Sequence, residues 1–209
     1  MAAASATLAL ALPRLMASVA ALQARDAVRA VHAGAVPDAP ALAAATEALA
    51  RAAAWVPEGE REAERGLLLL QRALLAEGPE QDALLAAAEA AEQSALTLAP
   101  VQPSSWNRLA LLREHRGDLA GAVAALRLSL LTGGFVPALT EPRIRLGLRL
   151  QALLDDETTE LLKHLLRRAW VTEPGIIRAI AADPAAGAFL HAALDGVAPQ
   201  EAWRPDRGR

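Results

Sequence analysis

One spaced pattern recurs four times along this chain of 209 residues and limits its possible folds more than any other feature. A small residue is followed four positions on by a large apolar one, seven on by a second small one, and twelve on by a helix breaker. Ala45, Leu49, Ala52 and Pro57 fit completely. Ala88, Glu92, Ala95 and Pro100 depart only at Glu92, while Leu162, Leu166, Ala169 and Pro174 depart only at the larger Leu162. Ala122, Leu126, Ser129 and Gly134 fit at the first two positions. Such spacing places the first three residues on one helical face. Each segment therefore reads as a helix with one buried stripe, stopped by its breaker.

Composition agrees with helices throughout. Apolar residues make up 54% of the chain but aromatics only 3%, so alanine and leucine, both strong helix formers, supply the bulk. β-Branched and aromatic residues, which favour strands, are scarce. The expectation is an all-α fold. Caps and breakers predict helices near 14–33, 39–55, 60–77, 80–98, 105–116, 119–131, 141–154 and 156–171, with two short C-terminal ones at 173–182 and 184–194. Asp183 would cap the last, with Pro184 at its first position.

The segment opening at Trp106 adds detail to one unit. Leu109 and Ala110 follow the tryptophan, Gly117 and Asp118 make a turn, and Ala122 and Leu126 continue beyond it. Small residues at 110 and 122 permit close helix approach. Gly117 suits a left-handed helix end and Asp118 an N-cap; Ser104 or Ser105 would cap the preceding helix. This set resembles the tetratricopeptide repeat, and the interval from Pro100 to Gly134 equals that family's repeat length of about 34 residues. Arg113 stands where the family has an aromatic residue, Ser129 where it has a late alanine, and Gly134 where it has the closing proline.

The resemblance implies a right-handed array of antiparallel helix pairs over residues 25–196, preceded by a hydrophobic segment at 1–24 and followed by a flexible tail at 197–209. It also implies a non-catalytic scaffold that receives an extended protein or peptide segment in a concave groove, often by its carboxylate. On that basis Asn107, Leu111, Glu114 and His115, together with Arg145 and Arg149, would face the groove. Guanidinium forks suit carboxylates. The alternative is a solvated arginine face made by Arg143, Arg145 and Arg149 with Lys163, Arg167 and Arg168. The layout also resembles short tetratricopeptide-type proteins of GC-rich proteobacteria that accompany cell-envelope or surface-polysaccharide assembly. A codon bias of that kind fits a chain whose only lysine is Lys163 and only asparagine Asn107.

The N-terminal segment stays open. Residues 2–22 are apolar or small apart from Arg14, with Pro13 beside it. They suit a secretory signal or weak anchor ending near Ala21, a packed alanine-rich helix, or a segment whose true start lies upstream. The first reading places the protein at the cell envelope, in the periplasm or tethered to the inner membrane. The second leaves it in the cytoplasm, and a membrane-tethered structural subunit is the rival function.

Chemistry is sparse. A net charge of −3 selects neither nucleic acid nor acidic surfaces, and no cysteine is present. His32, His115, His164 and His191 stand far apart and read as surface histidines, outside any helical zinc spacing. Phosphate-cradling glycine motifs and nucleophile elbows are missing. No cofactor or metal is expected, and an enzyme on a helical scaffold is the least supported reading. Asp155-Asp156-Glu157 reads as helix capping. Trp55, Trp106 and Trp170 read as core, and Trp203 as an exposed or docking residue of the tail.

Overall fold

The computed structural model describes residues 2–198, with side chains from residue 11 onward. Among the described residues the protein is all-helical, without strands. The α-helices are α1 (Ala2–Leu22), α2 (Arg25–His32), α3 (Ala39–Trp55), α4 (Gly59–Ala73), α5 (Gly78–Leu98), α6 (Pro103–His115), α7 (Leu119–Thr132), α8 (Pro137–Arg149), α9 (Asp156–Thr172), α10 (Pro174–Ala181) and α11 (Gly187–Leu194). They form two compact units, α1–α5 and α6–α11. The tail with Trp203 lies outside the described residues.

In the first unit α4 packs along α5, and α3 packs against both α1 and α4. Ala24, Val28, Leu42, Ala45, Ala48, Leu49 and Leu68 form a core cluster. In the second unit α6 packs along α7, while α9 meets α7, α8, α10 and α11. The first three residues of each copy of the pattern are buried: Ala45, Leu49 and Ala52 on α3, Ala88, Glu92 and Ala95 on α5, Ala122, Leu126 and Ser129 on α7, and Leu162, Leu166 and Ala169 on α9. The departures are as buried as the fits. Space or partners for them come from neighbouring helices.

Local chemistry sets the ends. Gly117 takes φ +80°, open to glycine at no steric cost. Asp118 accepts from Gly121 N at 2.9 Å, Asp155 from Thr158 N at 2.6 Å and Asp183 from Ala185 N at 2.9 Å, so all three act as N-caps. Asp155 is held below the ordinary carboxylate range by its hydrogen bonds to Thr158. The serine cap expected for α6 is absent. Its N-cap is Gln102, Pro103 takes the first position, and Ser105 instead donates to Gln102 Oε1.

Three expectations about element ends change. α1 begins at Ala2 and runs through Pro13, then closes at Gln23 and Ala24 through short bonds to Ala20 and Ala21, so α2 is separate. α8 starts earlier than expected, at Pro137, and ends at Arg149 before a 3-10 turn at Gln151–Leu153. The segment after Asp183 divides into a 3-10 turn at Pro184–Ala186 and α11.

Candidate functional site

Arg143 does not belong to a solvated arginine face, whereas Arg145, Arg149 and Arg168 are exposed. Its side chain is fully buried on α8. Nε donates to Ser129 Oγ at 3.0 Å, Nη2 to the Ser129 carbonyl at 2.5 Å and Nη1 to the Gly133 carbonyl at 2.7 Å. Ser129 Oγ passes the chain on, donating to the Pro103 carbonyl at 2.7 Å. The guanidinium therefore caps the last turn of α7, where carbonyls lack intrahelical donors and the dipole favours a cation. Burial pushes its pKa down to about 10. Ser129, where the repeat pattern wants alanine, is the acceptor this arginine needs.

The other two departures are spatial. A Cβ at Gly66 on α4 would lie 2.4 Å from Glu92 Oε1, and one at Gly147 on α8 would lie 2.4 Å from Leu162 Cδ2. Each glycine opens the room that the oversized residue on the adjoining helix fills. Glycine inside a helix costs about 1 kcal/mol against alanine, so two such residues at close contacts point to packing rather than to flexibility. Sequence reasoning passed over both. Their signal was present: an internal helical glycine opposite a position where the pattern is broken.

The expected groove residues lie on α6 and α8. Arg149 on α8 and Glu114 on α6 form a two-pronged ion pair, Nε to Oε1 at 2.5 Å and Nη2 to Oε2 at 2.7 Å. That hydrogen bond raises the Arg149 pKa. Arg145 is exposed and bonds Glu141 Oε1 at 2.8 Å within its own helix. His115 is exposed and Leu111 half-buried. Asn107 is buried, its Oδ1 having no hydrogen-bond partner among the described residues. Arg113 reaches back across the Gly117 turn to the Gly121 carbonyl at 3.2 Å.

Beside Arg145 and Arg149 opens a cleft of about 200 Å³, completed by Leu148, Ile180, Asp183 and Ala186. Two guanidinium groups over an aliphatic floor can hold an acidic group attached to an apolar side chain. Arg149 would have to exchange Glu114 for the incoming carboxylate, whereas Arg145 would release only an exposed, weak local pair. The arrangement suits recognition.

The four histidines are exposed. Trp106 and Trp170 are half-buried, and Arg178 lies over the Trp170 ring at 5.9 Å. Trp55 is 49% exposed, against the core role expected for it. As the final residue of α3 it stands beyond the last turn that packs. No protein-family model, curated protein or solved structure matches the chain.

Proposed function

We propose that this chain is a tetratricopeptide-type scaffold that binds a segment of another protein rather than catalysing a reaction. The observation that carries the reading is the burial of the recurring pattern at every one of its helical positions, on α3, α5, α7 and α9. A tetratricopeptide array places such helices second in each pair and leaves the intervening ones to meet the ligand. α6 and α8 hold those places in the second unit. The ligand is then a protein segment whose carboxylate and neighbouring apolar side chain enter the cleft at Arg145, Arg149, Leu148 and Ile180.

Selection from a displayed library of peptides with free C-terminal carboxylates, using the full chain as bait, tests this. Enrichment of acidic-apolar termini, with affinity lost at least about tenfold in an Arg145→Glu, Arg149→Glu variant, is the expected result. No enrichment, or peptides that bind the double variant equally well, would sink it.

A further inference from the structure

The outward side of α1 is apolar and uncovered. Leu12 (51% exposed), Leu15 (59%), Met16 (37%), Val19 (51%) and Leu22 (60%) recur at helical spacing. At 3.6 residues per turn they occupy one arc of roughly 120°. The opposite side is committed to the protein: Ala17 is fully buried and Ala21 packs on the core cluster. Five exposed large side chains in one line are far from the scattered apolar residues of an ordinary surface.

Charge says what covers them. No aspartate or glutamate occurs before Asp26, whereas Arg14 and Arg25 are present and exposed. At its C-terminal end the stripe runs into a cleft of about 490 Å³, because Leu22 lines both. The cleft is also lined by Arg25, Arg29, His32, Arg61 and Glu64. Arg29 pairs with Asp26 at 3.2 Å and Arg61 with Glu58 at 3.0 Å. Two copies of the chain meeting through this stripe would bring Arg14 and Arg25 of each together, and the first carboxylate, Asp26, comes only after the stripe. An anionic lipid surface presents the complementary sign, and guanidinium forks match its phosphates.

We propose that α1 is a membrane-surface docking helix, its stripe from Leu12 to Leu22 lying among acyl chains and the Arg25–Arg29 cleft holding an anionic phospholipid headgroup. The helix lies in the interface plane. Its inner side, with Ala17 buried and Ala21 packed on the core cluster, is not free to face lipid. This role is separate from the peptide cleft on α8.

Co-sedimentation of the full chain with vesicles tests it, using phosphatidylcholine alone and phosphatidylcholine mixed with phosphatidylglycerol. The chain should pellet with the mixed vesicles, far less with the neutral ones, and less again in high salt. Leu15→Ser with Val19→Ser should weaken binding by at least about tenfold. Arg25→Ala with Arg29→Ala should weaken it about fivefold per charge. Should the serine pair lose helicity by circular dichroism, the arginine pair and the salt series decide the matter alone. Equal binding to both vesicle types, or none to either, overturns the proposal. So does self-association in the ultracentrifuge that the serine pair abolishes without any vesicle binding, which would make the stripe a contact between copies.

Discussion

Two helix contacts of the second unit, α6 with α7 and α8 with α9, divide their volume differently. Ala110 and Ala122, small on both helices, are completely buried. On α8 and α9 the division is extreme, with Gly147 against the full leucine of residue 162. In the first unit α4 and α5 follow the second scheme with a polar side chain, Gly66 giving way to Glu92. Close helix approach therefore does not demand alanine at any one position. It demands that the two facing volumes add up to what the interhelical space holds, which is the packing constraint that acts on any protein interior.

The largest test concerns the departure that is answered by bonds rather than by space. Arg143→Ala removes the donors that serve Ser129 and Gly133 and leaves buried acceptors unmet, so unfolding in urea should show a loss of about 3–5 kcal/mol. A loss under about 1 kcal/mol would mean that water takes over these carbonyls.

Gly147→Ala comes next and changes sign with its neighbour. In the native chain it should cost about 1–3 kcal/mol by forcing Leu162 out of place. After Leu162→Ala the same change should instead stabilise by about 1 kcal/mol, through helix propensity. A double-mutant cycle measures that reversal, and simple additivity would break the comparison. Gly66→Ala should behave likewise but more weakly, costing about 1 kcal/mol, since the atoms in its way are the end of a longer side chain.

Glu64 gives the smallest effect. Burial, then the charge of Glu60, raises its pKa from the ordinary 4.5. The folded state thus keeps the proton to higher pH than the unfolded one, and stability falls as pH rises from 4.5 through the raised value. Glu64→Gln should therefore be slightly more stable than the native chain above that window, with no difference below it. Thermal melts across the pH series would show whether the two curves converge in acid.

What the sequence made legible was local. Gly117, Asp118, Asp155 and Asp183 act through bonds to residues two or three positions away, and the buried stripes of α3, α5, α7 and α9 need only helical periodicity. What stayed hidden depended on another helix. Arg143 looked like Arg145 and Arg149 in sequence, and only the carbonyls at the end of α7 make it a buried cap. Trp55 has the composition of a core residue, but its place at the end of α3 leaves it half in solvent. Asn107, Glu114 and Arg149 could be placed on α6 and α8 by pattern. That Glu114 would engage Arg149 depends on the distance between those helices, which no spacing within one helix reveals.

The glycine at 147 also restricts the order in which this chain can change. A methyl group at 147 meets Leu162, so it becomes acceptable only after residue 162 has been shortened. Shortening 162 first opens a cavity, and the chain must tolerate that state before 147 can fill it. Positions 147 and 162 thus behave as one two-part character with a valley between its states. Divergence along α8 and α9 would proceed by paired replacement, leaving single-site drift confined to the exposed side.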